Sequence, residues 1–171
     1  MFSICIVDDE QLIRQGLRKL IAWNQYGFNI IGEAENGEEA LKQFQWDRVD
    51  VLITDIRMPF INGLELAEKV RDINNRIQII VLSGYDDFAY LQASIRIGIC
   101  DYLLKPVKTN ELIDALERAK NHLNVSGRFP NLSPFDKALQ THLQNCDKPA
   151  FMKTLFELKR EINKYNILLH I

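Results

Sequence analysis

Five short apolar runs recur in the first part of the chain: Phe2–Val7, Asn29–Ala34, Val49–Thr54, Ile77–Leu82 and Ile99–Leu104. Four of them are nearly continuous in Ile, Val and Leu instead of alternating with polar residues, the pattern of parallel strands buried on both faces. Between the runs the period changes. Ile13, Leu17 and Leu20 recur at helical spacing, as do Leu66, Val70 and Ile73. Leu112, Leu116, Ala119 and Leu123 do the same after a candidate N-cap at Thr109. Asn36-Gly-Glu-Glu39 and Asn62-Gly-Leu-Glu65 each place Glu three residues after a capping residue, as a helix start should. Strand and helix therefore alternate five times. Right-handed crossovers then predict an α/β fold, a (βα)5 doubly wound parallel sheet with helices on both faces.

The pattern changes after residue 123. Residues 124–133 (Asn-Val-Ser-Gly-Arg-Phe-Pro-Asn-Leu-Ser) have the Gly, Pro, Ser and Asn of a linker. Ser133-Pro134-Phe135-Asp136 reads as an N-cap, Pro at the first helical position and an acid at the third. Phe135, Ala138, Leu139, His142 and Leu143 fall on one face of the helix that follows. A second helix is predicted from Asp147–Pro149, with Phe151, Leu155, Leu158 and Ile162 on its stripe. Two amphipathic helices make a poor core by themselves, so this short helical extension needs another surface. The expected organisation is a domain at 1–123, a linker at 124–133 and a helical connector at 134–171.

Composition narrows the class. The chain has 171 residues, 47% hydrophobic and 26% charged, with a formal net charge of −2. That is ordinary for a soluble globular protein and shows no global basic excess toward nucleic acid. Lys153, Lys159, Arg160 and Lys164 are interleaved with Glu157 and Glu161, which reads as a solvated, ion-paired helix face. Cys5, Cys100 and Cys146 lack metal-ligand spacing, and reduced thiols in a cytoplasmic protein are the simplest reading. His122, His142 and His170 also lack metal spacing, and the sequence offers them no partner. No stretch is apolar for long enough to span a membrane, and the first residues do not read as a signal peptide.

Chemistry gathers where the apolar runs stop. The first ends at Asp8-Asp9, the third at Asp55, the fourth at Ser83 and the fifth at Lys105-Pro106. In an open α/β sheet, ligands bind outside the carboxyl ends of the strands. Three carboxylates delivered to one rim repel each other unless a cation intervenes, and one or two carboxylates plus waters is the Mg²⁺ pattern. A carboxylate can be a nucleophile, and a Lys and a Ser beside it can hold the oxygens of a phosphoryl group. Singly, each acid would more readily be a loop residue or a cap; in register they point to phosphoryl chemistry.

Val7-Asp-Asp-Glu10, Asp55-Ile-Arg-Met-Pro59 with Asn62-Gly63, Ser83-Gly84 and Lys105-Pro106 resemble the receiver domain of two-component response regulators. The likeness spans residues 1 to about 123 and implies the flavodoxin-like strand order 2-1-3-4-5. It implies that Asp55 is the phosphoacceptor. Asp9 would contact Mg²⁺ directly, Asp8 mainly through water, with the backbone carbonyl of Arg57 as a further ligand. Lys105 would pair with the phosphoryl group, Ser83 would hydrogen-bond it, and Tyr102 would change rotamer as the aromatic half of a switch. The peptide bond before Pro106 is expected to be cis. Tyr85, Asp86 and Asp87 are read as caps of the fourth predicted helix before partner contacts.

Finer texture narrows the likeness. Leu12-Ile-Arg-Gln-Gly-Leu17, Trp23 with Gly27-Phe28, Gly32-Glu-Ala-Glu-Asn-Gly37 and Asp101-Tyr-Leu-Leu-Lys-Pro-Val107 resemble regulators with an AraC-type DNA-binding output. The implied partners are a sensor histidine kinase, a second copy of the chain after phosphorylation, and DNA through an output domain outside this chain. An AraC-type output needs two helix-turn-helix units, roughly a hundred residues. The chain is therefore expected to be a truncated piece, a receiver with the first helices of a connector. An alternative output is the helical tail itself, acting as a dimerisation or docking module. A phosphohydrolase with an Asp nucleophile is the enzymatic rival, but it usually needs a second Asp two residues on, where this chain has Arg57. A turnover enzyme is not expected.

Overall fold

Each apolar run becomes a strand because its side chains have two apolar faces to fill. The computed structural model describes residues 1–84, 90, 94 and 96–124. The linker after Asn124, the helical connector and Tyr85–Asp87 lie outside the described residues. The strands are β1 (Phe2–Val7), β2 (Phe28–Ala34), β3 (Val51–Asp55), β4 (Gln78–Ser83) and β5 (Asp101–Leu104). They form one sheet in the order β2-β1-β3-β4-β5, and every neighbouring pair is parallel. The β1–β2 register slips by one residue between Ile4 and Cys5.

The helices are α1 (Gln11–Leu20), α2 (Gly37–Gln43), α3 (Gly63–Ile73) and α4 (Thr109–Asn124), the last being the helix predicted after the fifth strand. Alternate strand residues feed two cores. Ile4, Ile6, Val51, Ile53, Ile80 and Leu82 pack with Leu17 of α1 and with Leu112, Leu116 and Ala119 of α4. Cys5, Val7, Leu52, Ile79 and Val81 pack on the other face with Ala40 of α2 and with Leu66, Ala67 and Val70 of α3. Burial on both sides explains why these strands do not alternate with polar residues.

The helix starts follow local chemistry. Asn62 accepts from the N–H groups of Leu64 and Glu65 while Glu65 reaches back to the Asn62 N–H, a complete capping box. Asn36 accepts from the Glu39 N–H at 2.9 Å. Gly27, at φ 85°, ends a 3-10 turn over Trp23–Tyr26 in the left-handed conformation that glycine tolerates. From there its carbonyl accepts from Phe2 N–H as the sheet begins.

Three expectations need correction. Thr109 is the first residue of α4, not its cap; the Leu112 N–H donates to the Lys108 carbonyl. The third and fifth strands begin two residues later than their apolar runs, at Val51 instead of Val49 and at Asp101 instead of Ile99. Ile73, expected on the apolar stripe of α3, is 59% exposed. The last turn of α3 packs through polar groups in its place. Arg71 donates to the carbonyls of Ile77 and Gly98, and Asn74 to those of Trp46 and Val49.

Candidate functional site

Parallel strands all end at the same edge, so side chains at or just past the ends of β1, β3, β4 and β5 are brought to one rim. Asp8 follows β1 and is wholly buried, Asp55 closes β3 and is buried, and Asp9 is exposed. Carboxylate oxygens of the three lie within 4.8 Å of one another. Into this group reaches Lys105, from the residue after β5. Its Nζ stands 2.8 Å from Asp8 Oδ2, 3.2 Å from Asp55 Oδ1 and 3.7 Å from Glu10 Oε1. The Lys105 N–H donates to the Ser83 carbonyl at 2.7 Å, fixing the end of β5 against β4. The Lys105–Pro106 peptide bond is cis.

One ammonium is shared by two buried carboxylates. Burial pushes the Asp8 carboxyl above its ordinary range; Lys105 and the Glu10 N–H pull the other way, and Asp9 adds to the rise. Burial also raises Asp55, opposed by Lys105 and reinforced by Asp8. For Lys105, burial alone would lower the pKa, but the hydrogen bond to Asp8 and the charge of Asp55 hold it above its usual value. The three clustered carboxylates outnumber the one ammonium and leave a formal surplus of two negative charges. Asp8 Oδ2 is buried and, Lys105 apart, has no hydrogen-bond partner among the described residues. This oxygen-rich, negatively charged and under-satisfied group fits a hard divalent cation such as Mg²⁺.

The raised carboxyl of Asp8 gives a test with a defined sign. At neutral pH its charge opposes folding, so Asp8→Asn is expected to raise the Tm of metal-free protein by a few degrees. The unfolded chain protonates near 3.8 and the folded one at higher pH. The gain over the parent should therefore shrink as pH falls through the raised folded value, and be gone below 3.8. Thermal melts of both proteins across pH in a chelator check this.

The other candidate residues have different surroundings. Ser83 ends β4 and is buried. Tyr102 is half-buried in β5 and packs against the core on the α2–α3 face. Arg57 is exposed, and its guanidinium lies over the Tyr90 ring, 5.4 Å from the centroid. His122, for which the sequence offered no partner, has Nδ1 3.1 Å from Gln78 Oε1 and 3.8 Å from Cys100 Sγ. That group precedes the start of β5, at the other end of the strand from the carboxylates. Burial pushes the Cys100 thiol up to about 12, so it is no nucleophile at neutral pH.

Two neighbours of the site escaped the sequence reading. Arg14 on α1 is buried and donates to the Asp8 carbonyl at 2.6 Å. Its signal was an arginine three residues before Leu17, on the helix face that turns inward. Gly63 was read as part of a motif, but what it permits is a close approach. A Cβ at Gly63 would stand 1.8 Å from the carbonyl oxygen of Asp55.

Comparison with known proteins yields a match to the family described as response regulator receiver domain, over residues 4–117. The transcriptional regulatory protein HptR of Staphylococcus aureus is 40% identical over 148 residues, covering 84% of this chain and 57% of that protein. An uncharacterized response regulatory protein of Staphylococcus epidermidis is 44% identical over 117 residues, 68% of this chain and 46% of its own length. The chain thus spans about half the length of these curated relatives. Among solved structures, the REC domain of AraT, a response regulator from Geobacillus stearothermophilus, superposes with a TM-score of 0.69 at 39% identity. It covers 74% of this chain and 98% of that one.

Proposed function

The chain belongs to the response regulator receiver family, and from that premise we propose that Asp55 accepts a phosphoryl group from the phosphohistidine of a sensor histidine kinase. Receiver domains are signalling proteins and not turnover enzymes. The observation that carries the reading is the largely buried Lys105 ammonium held between Asp8 and Asp55 at the carboxyl edge of the sheet.

Asp8, Asp9, Asp55 and the backbone carbonyl of Arg57 are the groups that would hold Mg²⁺. When bound, the ion supplies charge that stabilises the phosphoryl oxygens during transfer. An Asp55 carboxylate oxygen attacks phosphorus. The new O–P bond forms as the N–P bond breaks, and the electron pair leaves on the imidazole nitrogen, which takes up a proton. Lys105 is already within 3.2 Å of Asp55 and pairs with the added charge. The Ser83 hydroxyl donates to a phosphoryl oxygen from the end of β4, and Tyr102 follows by changing rotamer. Loss of the phosphoryl group to water, without a second protein, resets the chain.

The output side of this reading is a second copy of the chain. Leu104 at the end of β5 is 45% exposed, and a groove beside it is lined by Lys108, Glu111 and Asp114. Phosphorylation reshapes the face of β5 and α4 with the β4–β5 crossover so that two copies dimerise. Paired copies place DNA-binding outputs on paired half-sites in a longer protein of the kind its relative HptR is named for. The cytoplasm is the compartment this partner set requires. Among the described residues no helix is long and apolar enough to cross a membrane.

The test is intact-protein mass after incubation with Mg²⁺ and a small acyl phosphate; a gain of one phosphoryl group is expected. Lys105→Ala separates chemistry from response. It is expected to fold and still gain the group, while phosphorylation-dependent dimerisation is lost. Sedimentation of the phosphorylated variant measures this, and dimerisation equal to the parent would remove Lys105 from the switch.

A further inference from the structure

We propose that Arg14 is a positioning residue for the cation site: its guanidinium holds the Asp8–Asp9 turn in the shape that binds Mg²⁺. The inference rests on the reading that this acidic cluster binds Mg²⁺. The chain leaves β1 at Val7 and enters α1 at Gln11, so Asp8, Asp9 and Glu10 make the whole connection. The Asp8 N–H donates to the Ala34 carbonyl at 3.2 Å, and Asp8 Oδ1 accepts from the Glu10 N–H at 2.9 Å. The remaining backbone group, the Asp8 carbonyl, is buried and needs a donor. Arg14 Nη1 supplies it at 2.6 Å.

Arg14 is 7% exposed. The inward face of α1 needs only an apolar side chain at such a position, and burying a cation is unfavourable unless it is paired. Arg14 is paired by two acids from the end of β2: Nε lies 3.7 Å from Glu33 and Nη2 3.4 Å from Glu35. Glu33 is shared with Arg18, 2.5 Å away on the exposed side. The planar fork of one guanidinium thus reaches three groups on two other segments, which the point charge of a lysine cannot do. The carbonyl it fixes belongs to the residue whose carboxylate is in the cluster. Groups that orient a metal's ligands in this manner are worth about ten- to a hundredfold in metal affinity.

Two other roles predict different outcomes. If Arg14 acted only through its charge, removing it would strengthen binding of a cation. If it only clipped α1 to β2, its loss would lower stability and leave Mg²⁺ affinity alone, and Arg18→Ala would behave likewise.

The experiment is calorimetric titration of the metal-free full chain with MgCl2 at fixed ionic strength, with metal-free Tm measured in parallel. The parent, Arg14→Met, Arg14→Lys, Arg18→Ala and Asp9→Asn are compared. Arg14→Met is expected to weaken Mg²⁺ binding about tenfold or more, Arg14→Lys by less, and Arg18→Ala by under about twofold. Unchanged or tighter binding in Arg14→Met overturns the proposal whatever its Tm. If that variant does not fold, Arg14→Lys decides: weaker Mg²⁺ binding supports the proposal and parental binding overturns it. A parent that shows no Mg²⁺ binding, indistinguishable from Asp9→Asn, overturns the cation site itself and this inference with it.

Discussion

Asp55→Asn is expected to show no gain in intact mass after incubation with Mg²⁺ and a small acyl phosphate, under conditions where the parent gains one phosphoryl group. The substitution keeps the shape of the side chain and removes its nucleophilic, charged oxygen. Burial already pushes the Asp55 carboxyl toward its neutral form, so a neutral amide is tolerated at this position. Lys105 keeps its contact with Asp8 at 2.8 Å. The Tm of the metal-free variant should therefore equal or exceed that of the parent, which separates lost chemistry from lost structure. A phosphoryl gain that persisted in Asp55→Asn would move the nucleophile to Asp8 or Asp9, the other carboxylates of the cluster.

Gly63→Ala is expected to be the most damaging small substitution near the site. The new methyl would stand 1.8 Å from the Asp55 carbonyl oxygen, 2.8 Å from its carbon and 3.0 Å from Thr54 Oγ1. None of these can retreat easily. Thr54 and Asp55 lie in a central strand paired on one side to β1 through Thr54 and on the other to β4 through both. The Thr54 hydroxyl donates to that same Asp55 carbonyl at 3.0 Å. The start of α3 is pinned as well, by the Gly63 N–H donating to the Ile56 carbonyl and by the Asn62 capping box. Overpacking of a rigid site costs about 1–3 kcal/mol and occasionally more, and the upper end is expected here. Chemical denaturation measures the loss. In protein that remains folded, phosphoryl uptake should also slow, because the displaced carbonyl is the nucleophile's own. Parental stability would show that α3 can shift away from β3.

The legible parts of this protein share a physical cause. A strand buried on both faces must be apolar at every position, so Ile4–Val7, Val51–Ile53 and Ile79–Leu82 declared themselves. A helix start must satisfy its own free N–H groups, so Asn36 and Asn62 did too. Because parallel strands end at one edge, residues just past the apolar runs were bound to meet, and the clustering of Asp8, Asp9, Asp55 and Lys105 follows from topology. What was misread depends on neighbours distant in sequence. Ile73 fits the apolar stripe of α3 yet is exposed, since Arg71 and Asn74 find carbonyls from other segments. His122 looked partnerless until the fold brought up Gln78 and Cys100.

The sequence by itself determined the alternation of strand and helix, the two-sided core and the identity of the groups at the carboxyl edge, because periodicity and capping are local. Tertiary structure alone decided how charge is apportioned there: one Lys105 ammonium between two buried carboxylates, Asp9 left exposed, and Arg14 turned from a helix residue into the donor for the Asp8 carbonyl. Coulomb and hydrogen-bond terms change steeply over the few ångströms that separate a partner from a bystander. Those separations are set by the packing of α1 on the sheet and by the strand order that carries the end of β5 to the same edge as β1 and β3, which no short stretch of the chain encodes.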